Sequence, residues 1–405
     1  MIFPNLATPL VKLDLTFEAG SRYQSQPCVA QAANQLMGQA TRHHDAEWVA
    51  EFLDFRGITI ERAADTCTAC LSFYFLRRYA HELLPLIREM IEQPVLTSTL
   101  FEAHVSKRRQ QLEVNLRKTS SVARNIWYEA LFGPNHPLGV HATPEDVYRL
   151  TPDLITAFWR ERYKDYWITL SGNVDDALVE MVSNSTRHTP QSLRDSSPNL
   201  GEQLEILTAS DRGSHSSPKL GEVAQRAGGV CSPQFSIRVG RVLPFRWNDP
   251  DYHKFMVLNT LLGGYFGSRL MSNLREEKGY TYGIYSQTQI YRGLIVFFIT
   301  ADVAAEAADD SLVQVDAEMR RLQEELVTDD ELRRVCTYMR GDHLRSIDGI
   351  FELAERRRQM ATTGVGEAFF DLFLNALDTT TPADIQRLAR QHLSPEEMLH
   401  VCVNA

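Results

Sequence analysis

Several features that would place this chain quickly in a functional class are missing from it. There is no basic stripe: 42 Lys and Arg stand against 52 Asp and Glu, a net charge of −10. That sets aside nucleic acid and anionic membrane as partners, since such surfaces are held by clustered cations. No apolar run approaches the ~20 residues of a membrane span. The N-terminus, Met-Ile-Phe-Pro-Asn-Leu-Ala-Thr-Pro-Leu, lacks the basic start and apolar core of a secretory signal. A cytoplasmic location is the expectation, unless a leader has been removed. Cysteine is sparse and scattered, six in all. Cys67-Thr-Ala-Cys70 forms a CxxC, but no second pair lies nearby and its surroundings read as a strand, so reduced strand cysteines are expected rather than zinc or redox chemistry. No Gly-Lys-Ser/Thr follows Gly263-Gly264, which excludes a phosphate loop. Neither H-x-x-E-H nor H-E-x-x-H occurs. His43 and His44 are adjacent and cannot both face one ion from a helix. His136 and His141 flank a loop and read as solvated surface residues.

What is present describes a soluble, duplicated chain. Its 405 residues, 43% hydrophobic, favour two or more domains with sizeable cores. Pro9 to Glu18 alternates, with Val11, Leu13, Leu15 and Phe17 against Lys12, Asp14, Thr16 and Glu18, the pattern of a half-buried strand. Helical patterns follow over Cys28–Gly38, Asp45–Phe55, Ala80–Glu92 and Ser98–Arg117. Thr143-Pro144 and Thr151-Pro152 each set a Thr cap before a Pro at the first helical position. Ser183 to Ser232 is rich in Ser, Gly and Pro, carries Ser-Ser-Pro-x-Leu-Gly-Glu twice, and has too little apolar content for a core. It reads as a linker between domains 1–182 and 233–405. The second half restarts with a strand at Gln234–Val242 and a helix at Asp249–Leu262. A hairpin turns at Tyr291-Arg292-Gly293, and long helices run over Ala305–Leu326 and Asp329–Met360. Thr151-Pro152 leading to strand Tyr166–Leu170 is echoed by Thr381-Pro382 leading to Met398–Val403. A duplicated α+β unit, sheet and helices in layers, is the expected fold.

The most patterned stretch is Gly263 to Ser286. The glycines break the preceding helix. Ser268 is placed like an N-cap, Leu270 and Leu274 share a face, and Gly279 stands where a helix-ending glycine would. Arg275 and Tyr282 could point into one space across that corner. An ordinary surface helix followed by a buried strand tyrosine satisfies the same spacing.

The pattern Gly263-Gly264-x-x-x-Ser268-Arg269-Leu270-x-x-x-Leu274-Arg275-Glu276-x-x-Gly279-x-x-Tyr282 closely resembles the second half of M16 zinc metallopeptidases, in the two-domain class that includes mitochondrial processing peptidase. The resemblance extends over the chain outside the linker. It implies two homologous α+β halves arranged as half of a clamshell around a peptide chamber. It also implies that Gly263, Gly264, Ser268 and Arg269 form part of the substrate-binding corner, and that Arg275 and Tyr282 grip the substrate. In the first half, the family's H-x-x-E-H aligns with Gln31-x-x-Asn34-Gln35, and its downstream glutamate ligand with Gln111. Amides are far weaker zinc ligands than imidazole or carboxylate, and Asn34 cannot act as a general base. No metal is therefore expected in this chain.

Three functions remain open. The first is a zinc-less subunit of a heteromeric M16 endopeptidase, binding unfolded peptide and lending Arg275 and Tyr282 to the zinc site of an H-x-x-E-H-bearing partner in a heterodimer. The second is a structural or peptide-binding protein with no part in proteolysis. The third, a self-sufficient zinc peptidase, is disfavoured by ligand chemistry. A neighbouring gene encoding H-x-x-E-H would separate the first from the second.

Overall fold

The computed structural model describes residues 1–186 and 234–404. The expected linker thus falls almost wholly outside the described residues. The chain is mixed α+β, with two sheets and two compact units. The units are not continuous halves. Unit 1 comprises the described residues of Met1–Leu112, Ala142–Glu202 and Ser346–Thr362; unit 2 those of Glu113–His141, Gln203–Arg345 and Thr363–Ala405. Each sequence half gives one helix to the other unit.

Unit 1 is built on a five-stranded sheet: β1 (Ile2–Pro4), β2 (Leu10–Phe17), β3 (Thr59–Ala64), β4 (Ala69–Leu76) and β5 (Tyr166–Gly172), in the order β1-β5-β2-β4-β3. Only β1 and β5 pair parallel. The alternation of β2 sends Val11, Leu13, Leu15 and Phe17 into one core with Leu71, Phe73, Phe75 and Leu170. Over them pack α1 (Val29–Leu36), α3 (Ala80–Glu92), α7 (Pro152–Arg162) and α8 (Asp176–Ser185). Between these, α2 (Ala46–Phe55), α4 (Ser98–Leu116), α5 (Thr119–Phe132) and α6 (Pro144–Tyr148) complete the first half. Both Thr-Pro starts hold: the side chains of Thr143 and Thr151 accept from the N–H groups of Asp146 and Leu154.

The second face of β2 corrects the expectation of a half-buried strand. Lys12, Asp14 and Thr16 are buried as well. The cover is α12 (Ile350–Thr363), which brings charge as well as apolar surface: Lys12 Nζ donates to Glu355 at 2.9 Å and lies 3.4 Å from Asp14. Burial pushes the Asp14 carboxyl up against the pull of Lys12. Sequence periodicity treats a polar face as a wet one, and here a distant helix satisfies it instead.

Unit 2 has an antiparallel sheet of β6 (Gln234–Leu243), β7 (Thr281–Tyr291), β8 (Leu294–Ala304) and β9 (Leu399–Val403), in the order β7-β8-β6-β9. Its helices are α9 (Pro250–Asn259), α10 (Ala308–Glu324), α11 (Asp329–Ser346), α13 (Phe369–Thr379) and α14 (Pro382–His392). The donated α5 packs on this sheet, with Trp127 Nε1 bonded to Leu399 O at 3.1 Å. Arg238 of β6 lies under the rings of Trp127, Tyr128 and Phe298. The helix expected over Asp329–Met360 is two, α11 and α12. Gly349, at φ 131°, turns the chain between them. Pattern reading also passed over α13, whose Phe369 and Phe373 are buried in this unit.

Candidate functional site

The residues expected to replace metal ligands lie on α1 and α4 of unit 1. Asn34 is fully buried. Its Nδ2 donates to Ala63 O at 2.9 Å, and its Oδ1 accepts from the Tyr163 hydroxyl at 3.2 Å. Gln35 Nε2 donates to Arg62 O at 3.1 Å. Both amides thus tie α1 to the backbone of edge strand β3. An ionised glutamate at position 34 would set acceptor against acceptor at Ala63 O, so the amide is what this packing requires. Gln31 Oε1 is buried and has no hydrogen-bond partner among the described residues. Gln111 is exposed and accepts from Arg108 at 3.1 Å. Nearby, burial first, with Arg108 and Lys107 adding to it, pushes His104 down to about 4 and keeps it neutral.

This donor set does not fit a zinc ion. Asn34 and Gln35 are engaged in backbone bonding and Gln111 accepts from an arginine, and none of the four amides is the imidazole or carboxylate that zinc selects. Among the described residues, no group of three or more His, Cys, Asp or Glu is placed to hold a metal. The other histidines are engaged elsewhere. His44 stacks on Trp48 with ring centroids 3.5 Å apart. His136 corrects the expectation of a solvated side chain: it is buried, stacks on Phe132, and accepts from the Leu138 N–H. His141 is partly exposed, 3.6 Å from Glu129. Cys67 and Cys70 are buried and not joined in a disulfide, and Thr16 donates to Cys70 Sγ.

The Gly263–Ser286 corner lies in unit 2. The helix ends at the second of the two glycines, Gly264, with Tyr265 extended beyond it. After α9 the chain continues through Thr260–Gly264 in a wider helical turn, and a second wide-turned segment spans Met271–Glu277. Such widened turns recur at functional sites. Gly279 ends the second segment at φ 67°, where the Tyr280 N–H closes back on Leu274 O. Gly263 and Ser268 are buried, and the Ser268 hydroxyl has no partner among the described residues, so it stands at the cap position without capping. Arg269 forms a two-pronged pair with Glu331, both bonds 2.9 Å. Although burial raises the Glu331 carboxyl, bonding to Arg269 prevails and holds it below its usual range. Gly263, Ser268 and Arg269 therefore build the corner from within.

Arg275 and Tyr282 face outward. The Arg275 guanidinium lies 4.3 Å from the ring of Phe266, an exposed residue that spacing alone did not single out. Tyr282 is 93% exposed. A β-bulge explains this. Register with β8 steps from Thr281↔Val303 to Ile284↔Ala301, three residues against two. Thr281 Oγ1 braces the extra residue, donating to Asp302 O and accepting from the Gly283 N–H. Bulges re-aim side chains in this way, often beside active sites. A buried strand tyrosine, the alternative left open by spacing, is not what forms. Without the bulge in hand, no local signal announces that outcome.

Residues 212–339 match the family described as the peptidase M16 inactive domain. An uncharacterized zinc protease of Streptomyces coelicolor is 24% identical over 332 residues, spanning 78% of this chain and 69% of the relative. A non-peptidase homolog, YmxG of Helicobacter pylori, is 24% identical over 293 residues, 69% of this chain and 62% of that protein. In fold, a solved peptidase M16 inactive domain from Pseudomonas fluorescens superposes with a TM-score of 0.80 at 21% identity, covering 99% of this chain and 94% of that one.

Proposed function

We propose that the chain is the zinc-less subunit of a two-chain peptidase of the M16 family, whose inactive domain matches residues 212–339. Its role is to hold an unfolded peptide and to present Arg275 and Tyr282 to a partner bearing H-x-x-E-H and the zinc ion. The observation that carries this reading is the bulge-aimed Tyr282, 93% exposed, on the same corner as an arginine lying over the ring of Phe266. A phenol held outward can donate to a peptide carbonyl oxygen as negative charge gathers there, a stabilisation concentrated in the transition state. Arg275 supplies a fixed cation for backbone carbonyls or a carboxylate of the same peptide. β7 is an edge strand of its sheet, and strand addition along such an edge is a general route for extended peptides. No bond-breaking step is assigned to unit 1, where Asn34 and Gln35 serve the backbone of β3.

The test begins with co-purification from the native host, followed by peptidase assay of the separate and reconstituted chains. Turnover is expected only in the pair. Tyr282→Phe should lower kcat by about 10²-fold with assembly intact, in keeping with loss of one such donor. An unchanged kcat in that variant would leave a peptide-binding or structural role and remove Tyr282 from the chemistry.

A further inference from the structure

Helix α2 presents one face that unit 1 covers only in part. Of its ten residues only Val49 is fully buried. Along the helix runs a stacked ladder at four-residue spacing, from a half-buried His44 through Trp48, 39% exposed, to Phe52, which packs partly buried against the core. His44 lies parallel to Trp48 at 3.5 Å, Trp48 to Phe52 at 5.1 Å, and the Arg56 guanidinium caps Phe52 at 3.8 Å. Both ends are fixed by carboxylates: His44 lies 3.8 Å from Glu89, and Arg56 is bonded to Glu82. Phe55 extends the row and is 86% exposed. One residue out of phase stands a second row, Glu47, Glu51 and Asp54, at the same four-then-three spacing. All three are exposed and form no ion pair among the described residues. Helical periodicity sets the two rows side by side, an apolar stripe edged by an acidic one.

We propose that this face is a docking surface for a basic amphipathic helix of another chain. Stacked, pre-fixed aromatic rings lose little conformational freedom on binding and are the side chains that dominate interface energetics. The acidic row fits a partner whose apolar stripe is flanked by Lys or Arg. A second copy is disfavoured, because a two-fold contact would bring Glu47, Glu51 and Asp54 against themselves. The surface lies on unit 1, and its assignment stands apart from any role of Arg275 and Tyr282.

The test uses the full chain and a synthetic 18-residue helix of Leu and Lys, with a Leu/Glu counterpart as control, binding being read by calorimetry at low and physiological salt. The Leu/Lys peptide should bind and the Leu/Glu peptide should not. Phe55→Ser should weaken binding at least about tenfold. Since Phe55 is almost wholly exposed, the fold is retained, checked by an unchanged melting temperature. The combined Glu47→Gln, Glu51→Gln and Asp54→Asn change should weaken binding several-fold and remove most of its salt dependence. Equal affinity in the Phe55 variant, or equal salt dependence in the charge variant, would overturn the proposal. A concentration-dependent dimer abolished by Phe55→Ser would overturn it in favour of self-association.

Discussion

Two regions carry the residues that resemblance marks as functional, and they face opposite ways. On α1, Asn34 and Gln35 turn into the protein and spend their hydrogen bonds on the carbonyls of Ala63 and Arg62. At the corner of unit 2, a bulge turns Tyr282 out and Phe266 supports Arg275 near the surface. The contrast teaches that positions aligned with a family's metal ligands can serve the fold instead. Asn34 and Gln35 are structural here, so their substitution registers in stability. The corner's outward groups touch little of their own chain, so their substitution registers in what the protein binds.

The sharpest way to break this comparison is Asn34→Asp. A carboxylate there loses the bond to Ala63 O and leaves a buried charge unpaired, an expected cost of about 2–4 kcal/mol in urea denaturation. The pH dependence has a definite sign. Burial raises the folded-state pKa of such an aspartate above its unfolded value, about 3.9. The deficit is therefore smallest below that pH, where the protonated acid can donate to Ala63 O, and grows as pH rises. An undiminished stability at neutral pH would mean that Asn34 is not a structural residue.

Within the corner the same contrast separates inner from outer residues. Arg269→Ala removes both bonds to Glu331 and strands a half-buried carboxylate, which should cost about 1–2 kcal/mol. If Arg269 instead met substrate directly, stability would hold and peptide affinity alone would fall.

The polar face of β2 gives a pH-resolved prediction. Burial raises the Glu355 carboxyl, but bonds and charge from Arg358 and Lys12 outweigh it and bring it down to about 2. A carboxylate depressed in the folded state adds stability above its unfolded pKa, which is lost as pH falls through the folded one. Glu355→Gln should thus flatten the stability loss between about pH 4.5 and 2, read from thermal melts across that range. The same acid limb in both proteins would detach Glu355 from the fold's acid response.

Local chemistry made much of this fold legible. The Thr143, Thr151 and Thr381 caps, the hairpin at Tyr291-Arg292-Gly293 and the helix-ending Gly279 all follow from neighbours a few residues apart. What stayed hidden depends on distant pairing. Nothing near Lys12 announces Glu355, 343 residues away, and nothing near Tyr282 announces the extra residue against β8. The exchange of α5 and α12 between units is hidden for the same reason, since both read as ordinary amphipathic helices of their own half. At the site, motif resemblance marked the positions, while their orientation came from backbone geometry that periodicity does not encode.

The smallest effect is the most discriminating. Tyr282→Phe should change folding stability by no more than about 0.5 kcal/mol, as for surface positions free of caps and buried networks. The phenol is almost entirely in solvent, and the bulge is braced by Thr281 rather than by Tyr282. Thr281→Val removes that brace with nearly the same shape. It should disturb the turn at Tyr282 and lower any activity that depends on the phenol's aim, although the hydroxyl itself remains. If both variants behave alike in a reconstituted pair, aim matters as much as the phenol. If only Tyr282→Phe has an effect, the bulge is secondary to the donor it carries.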